Sequence, residues 1–173
     1  MNILGEIRKW EGKPKELVTF LTRSIIEDEA LFQQLVDSLK TGSDVEKGTC
    51  ADVMKHVTAE KPDIAAPYVD DLFGFINYKA PRVKWGIQES IGNISKKYPE
   101  EADKAVPNLL MNTKDKSTVV RWCAAYALTE IAKSSITKRV ELVPVFKGFI
   151  DEERNNGVRN VYMKAMKVIE KGK

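Results

Sequence analysis

The residues of this 173-residue chain best suited to chemistry come in a repeated phrase. Val83, Lys84 and Trp85 open the run VKWGIQESIGNI, and Val120, Arg121 and Trp122 open VRWCAAYALTEI, with 37 residues between the two valines. Glu89 lies one helical turn beyond Trp85, and Tyr126 holds the same place after Trp122. An indole with a polar neighbour can grip a planar ring or an apolar side chain, because the ring supplies area and the polar tip supplies direction. Acid–base catalysis asks for more, namely a second titratable group within hydrogen-bond reach. The spacing places no such acid beside Glu89, which reads as a groove residue pairing with a nearby lysine.

His56 is the only histidine. It stands where other copies of the repeat described below have isoleucine, so it is expected to be a partly buried, hydrogen-bonded core residue and not a base. Cys50 and Cys123 are far apart, with no CxxC pair, too few soft ligands for zinc. They read as reduced, small apolar fillers. No catalytic, cofactor or metal residue is therefore assigned, and no cofactor is expected.

Charge is uneven along the chain. Residues 1–80 carry 10 Lys/Arg against 14 Asp/Glu, a balance of −4, while residues 81–173 carry 18 against 11, a balance of +7. The second half can attract an acidic partner. No stretch of about eighteen apolar residues exists, so no membrane span is expected. The opening MNILGEIRKWEGK places charges inside what would be the apolar region of a signal peptide, which leads to the expectation of a cytoplasmic protein.

The repeated phrase belongs to a longer period. With Val83 and Val120 as anchors, Val158 in VRNVYMKAMKVI and Val45 in VEKGTCADVMKH complete a series at intervals of 38, 37 and 38 residues. Apolar residues recur at the anchor and 4, 7, 8 and 11 positions later, one stripe of a helix: Val120, Ala124, Ala127, Leu128 and Ile131 in the third copy. A preceding helix carries its own mark, with Pro67, Pro107 and Pro144 each followed by a bulky apolar run, so each is expected to bend that helix. Polar segments NYKAPR, NTKDKST and DEERNNG supply the turns between.

An apolar run after proline, a polar turn, then VR, small residues and ALTEIA or SIGNIS: this pattern resembles the HEAT repeat over residues 28–172, most specifically over 107–132. The first copy departs from it, with Glu46 where the family's base is expected. The resemblance implies an all-α, α-α superhelix of about five antiparallel helix pairs, with the second helix of each pair on the concave side. The expected divisions of this single continuous domain are capping helices in 1–27, then repeats at 28–60, 61–98, 99–134 and 135–173. Right-handed winding is expected, with helices at 28–40, 44–59, 63–78, 81–98, 101–112, 117–133, 137–150 and 156–172.

On a helical wheel the direction opposite the core stripe is taken by residues 2, 6, 9 and 13 positions after each anchor. These read Lys47, Ala51, Met54, Thr58; Trp85, Glu89, Gly92, Lys96; Trp122, Tyr126, Thr129, Lys133; and Asn160, Lys164, Lys167, Lys171. Trp85, Glu89, Trp122, Tyr126, Lys133, Lys164 and Lys167 are the candidate partner-binding residues, with Trp85 and Trp122 expected to clamp one group between them. The reading that follows is a non-enzymatic scaffold binding a protein or peptide of acidic character on the concave face. The alternative is nucleic-acid binding: HEAT-like alkylpurine DNA glycosylases are similar in architecture, and Trp85, Glu89, Arg121 and Trp122 are residues of the types they use. HEAT-like lyases that attach bilins share the fold only.

Overall fold

The computed structural model describes residues 1–172, so Lys173, the last position of the fourth expected repeat, lies outside it. Its regular elements are all helical: α1 (Ile3–Lys9), α2 (Pro14–Glu27), α3 (Leu31–Thr41), α4 (Asp44–Glu60), α5 (Pro62–Ala65), α6 (Val69–Phe73), α7 (Pro81–Ser95), α8 (Pro99–Asp103), α9 (Val106–Asn112), α10 (Thr118–Ser134), α11 (Ile136–Glu152) and α12 (Asn156–Lys171). A 3₁₀ turn, Ala66–Tyr68, joins α5 to α6. None of the described helices is long and apolar enough to cross a membrane.

The long second helices begin where side chains satisfy their free N–H groups. Ser43, Ser117 and Asn155 accept from the backbone N–H of Glu46, Val120 and Val158, while α7 starts at Pro81, whose missing N–H needs no partner. The four caps, Ser43, Ala80, Ser117 and Asn155, follow one another at 37, 37 and 38 residues. Behind them the expected stripe is buried: Val83, Ile87, Ile91, Ile94, Val120, Leu128 and Ile131 are all 0 % exposed.

The first copy is corrected by one residue. Val45 is 75 % exposed, and the buried stripe of α4 runs through Thr49, Cys50, Val53, Met54 and Val57. Its anchor is therefore Glu46, whose carboxylate returns to the Ser43 N–H in a capping box and so fixes the start of the helix. Two consequences follow. Lys47, not Glu46, takes the place of the repeated base. His56 falls off the core stripe and is exposed, so the expected core histidine is not one.

The second helices pack in series, α2 on α4, α4 on α7, α7 on α10 and α10 on α12. Two glycines let them approach. A Cβ on Gly86 would stand 2.3 Å from the Ala51 carbonyl oxygen, and one on Gly92 would stand 2.8 Å from the Tyr126 ring and 3.0 Å from the Ala127 Cα. This lateral packing buries Ala51, Thr58, Gly92 and Thr129, which the wheel assigns to the groove; Met54, assigned there too, lies on the corrected stripe. Lys47 is buried as well, its Nζ donating to the Leu39 and Lys40 carbonyls at 2.9 and 2.7 Å.

In the first-helix row, proline breaks more than it bends. Pro67 sits in the 3₁₀ turn between α5 and α6, and Pro107 is the second residue of α9, just past the break that ends α8. A proline offers no N–H to the preceding turn and crowds its carbonyl, so the helix is cheapest to restart there. Only Pro144 lies inside a continuous helix, α11.

Candidate binding surface on the second-helix row

The bases that follow the anchors form rungs between repeats. Lys84 on α7 pairs with Asp115 in the next repeat's turn at 2.7 Å, and Arg121 on α10 pairs with Glu153 at 2.9 Å while donating to the Asp115 carbonyl. The Arg121 guanidinium holds the Glu153 carboxyl below its ordinary value. These bases serve the stack.

The middle of the row is closed by polar links. Asp52 on α4 receives Arg82 at 2.8 Å and Lys55 at 3.1 Å, Lys55 lies 3.8 Å from Glu89 on α7, and the Cys123 thiol of α10 donates to Glu89 at 3.6 Å. Burial would raise the Asp52 carboxyl, yet Arg82 and Lys55 hold it below its usual value. A second chain runs beside this one. The buried Asn93 amide donates to the Lys55 carbonyl and the Thr58 hydroxyl, both at 3.1 Å, and accepts from the Tyr126 hydroxyl at 2.6 Å. One side chain thus ties α4, α7 and α10 together. Both cysteines are free and buried; burial pushes the Cys50 thiol up to about 12 and raises Cys123 too, so neither is a nucleophile at neutral pH.

Trp85 belongs to this closed middle. It is half-buried, and its indole N–H is buried without a hydrogen-bond partner among the described residues. Trp122 stacks on Tyr126 of its own helix, with ring centroids 5.8 Å apart and planes 1° from parallel, and Trp85 takes part in no ring pair among the described residues. The i, i+4 spacing on one helix brings the Trp122 and Tyr126 rings together.

The row opens between α10 and α12. Trp122, 37 % exposed, borders a notch of about 310 Å³ with Tyr126, Lys133, Asn160, Lys164 and Val168. Lys133 pairs with Glu130 at the lip. Lys96 lies over the Tyr126 ring, 5.5 Å from its centre. Burial raises the Tyr126 phenol, with Lys96 opposing, so the ring meets the notch as a neutral phenol. Lys164 and Lys167 are exposed and make no ion pair among the described residues; Lys167 lies outside the notch lining.

Four expected residues therefore converge, Trp122, Tyr126, Lys133 and Lys164, while Trp85 and Glu89 stand apart in the closed middle. Arg121 lines a different cavity with Phe149, Glu153 and Tyr162, so the set Trp85, Glu89, Arg121 and Trp122 is not assembled into one site. No group of three or more His, Cys, Asp or Glu side chains that could hold a metal occurs among the described residues. Asn93, Lys55 and Asp52 were missed from sequence. The available signal was Asn93 itself, an amide set between the buried Ile91 and Ile94. A second such amide, Asn112, bridges the Ile76 carbonyl and Gln88.

No family model matches the chain, and no curated protein is similar to it at a significant level. Solved structures do match its fold. A designed armadillo repeat protein in complex with the peptide (KR)4 superposes with a TM-score of 0.73 over 94 % of this chain and 78 % of its own, at 18 % identity. A second designed armadillo repeat protein gives 0.69 over 84 % of this chain and 67 % of its own, at 17 % identity. An engineered protein gives 0.73 over 86 % of this chain and 39 % of its own, at 16 % identity. The chain has the fold of an α-solenoid, as expected. The broken first helices of the two central repeats make each of them more than a simple helix pair.

Proposed function

We propose that this protein is an interaction module that takes an acidic protein or peptide segment on the concave, second-helix side of the solenoid, anchored in the α10–α12 notch. The observation that carries this reading is the exposed Trp122–Tyr126 stack bordered by Lys133 and Lys164, with Lys167 just beyond it. A rigid aromatic platform supplies contact area at low entropic cost, and Lys164 and Lys167, which make no ion pair among the described residues, supply attraction and orientation for carboxylates. The peptide bound by one structural neighbour supports peptide recognition as a use of this architecture. That peptide is wholly basic, and the lysines of this notch would repel it. The partner proposed here has the opposite charge.

The test is fluorescence anisotropy with three labelled probes: an extended Asp/Glu-rich peptide containing one aromatic residue, (KR)4, and a short DNA duplex. The acidic peptide should bind, with affinity falling as salt rises, and Trp122→Ala should weaken it at least tenfold, a loss of about 1.4 kcal/mol. Preference for (KR)4 or for DNA, or normal binding by the Trp122→Ala protein, would overturn the reading.

A further inference from the structure

The seam between the last two repeats lacks the amides that close the one before it. In that earlier seam Asn112 donates to the Ile76 carbonyl and to Gln88, and Gln88 donates to the Val120 carbonyl. In the repeat register Ile150 and Ala125 hold the places of Asn112 and Gln88, so no such amide chain serves α10 and α12. A cavity of about 470 Å³ opens beside the turns that precede these two helices. Such a volume lies within the roughly 300–1,000 Å³ range of small-molecule pockets.

Tyr162 lines this cavity and is only 2 % exposed. Its ring packs on Phe146 and Phe149, with centroids 5.2 and 5.4 Å away. Its hydroxyl has no hydrogen-bond partner among the described residues, yet it is not sealed inside the fold, as the unpartnered polar atoms of Thr22, Trp85 and Asp103 are. The small surface that Tyr162 keeps therefore includes its oxygen. The repeat itself asks for no hydroxyl here, because Ile87 and Ala124 hold this stripe position in other copies. Burial, and after it the Glu153 carboxylate, raise the phenol, so it meets the cavity neutral and able both to donate and to accept.

The charges around this hydroxyl cancel. Lys114, Arg121 and Arg154 line the cavity together with Asp115, Glu152 and Glu153. Arg121 and Glu153 are committed to each other, with side chains 20 % and 10 % exposed, and Asp115 receives Lys84 at 2.7 Å. Lys114, Glu152 and Arg154 are exposed and make no ion pair among the described residues. A charged ligand would give up hydration here without meeting a field of one sign, and that loss is costly. The wall offers instead the half-buried ring of Phe149, against which a further ring can stack or turn its edge.

We propose that this cavity binds a small neutral molecule that joins a planar aromatic body to one amide or hydroxyl group. The aromatic body lies against Phe149, and the polar group shares a hydrogen bond with the Tyr162 hydroxyl, the one buried polar group here that the protein leaves unanswered. No residue lines both this cavity and the α10–α12 notch, so the site stands whether or not the notch binds an acidic segment.

The test is a nuclear magnetic resonance titration of the full-length protein, ring-labelled at phenylalanine and tyrosine, with benzamide as the probe. Tyr162→Phe and Phe149→Leu assign the two reporting signals by removing them. Benzamide should shift both saturably at concentrations up to about 10 mM, the weak affinity expected of so small a ligand. Benzoate and benzylamine keep the ring and add a charge of either sign, and each should bind at least about fivefold more weakly. Followed at Phe149, the Tyr162→Phe protein keeps the aromatic floor without its hydroxyl; it should bind benzamide several-fold more weakly while its melting temperature holds or rises. An absence of saturable shift leaves water as the occupant and overturns the site. Benzoate or benzylamine binding as tightly as benzamide overturns the neutral ligand, and undiminished binding by Tyr162→Phe overturns the role of the hydroxyl.

Discussion

The middle of the second-helix row and its two ends are built from the same repeat, yet they behave as different materials. Between α4, α7 and α10 the helices approach over Gly86 and Gly92, and Asn93 and Asp52–Lys55–Glu89 fill the seam. At α2–α4 and α10–α12 the seam opens into cavities that keep charged or aromatic side chains available. The contrast teaches that a solenoid face is not uniformly a binding face. Where neighbouring helices satisfy one another the surface is finished, and where they do not, polar groups remain for a partner.

The sharpest way to break this contrast is to injure the middle. Leu128→Ala should cost about 2–5 kcal/mol in denaturant unfolding, the range for truncating a packed core leucine. Gly86→Ala comes next: the new methyl falls on the Ala51 carbonyl, a backbone that cannot swing away, so a loss of about 1–3 kcal/mol is expected despite alanine's better helix propensity. Asn93→Ala removes the acceptor of the Tyr126 hydroxyl and the bridge from α7 to α4, while the Thr58 hydroxyl keeps its bond to the Met54 carbonyl, and should cost about 1–3 kcal/mol.

Acid should loosen the rungs in a defined direction. The Arg8 side chain lowers the Glu46 carboxyl to about 2, and Arg121 lowers Glu153. A depressed carboxyl contributes stability that is fully present above its unfolded value, about 4.5, and is lost as pH falls toward the folded one. The melting temperature should therefore hold from neutrality to about pH 5 and decline steadily below it, with Arg121→Met flattening part of that decline. The smallest effect belongs to the open end. Lys164→Ala should leave stability within about 0.5 kcal/mol, as surface substitutions do, and show only as weaker, less salt-dependent binding of the acidic probe.

Much of the fold was legible because a helix advertises its buried stripe. The anchors Val83, Val120 and Val158 are all buried, and the helices they open begin within a residue of expectation. The first copy was misread through Val45, an apolar residue that attracts the eye but lies in the first turn, where the Ser43–Glu46 box sets the phase and turns it to solvent. The candidate site was half legible. Trp122 and Tyr126 share one helix, so their stacking follows from spacing alone, and Lys133 and Lys164 follow from the repeat. Trp85 and Glu89 did not, because a wheel has only a buried and an open side, whereas a helix inside a row also buries both flanks. Those flanks hold Gly92, Thr129 and Asn93, and only the distance between neighbouring helices decides their fate.

The interrupted first helices bear on how the whole chain responds to load. The second-helix row is continuous within each repeat and cross-tied by side chains, while the opposite row carries joints at Ala66–Tyr68 and between α8 and α9. Bending therefore concentrates at those two joints, much as a spine flexes at its discs. The solenoid can change its curvature there while the side-chain ties across the middle of the second row stay in place.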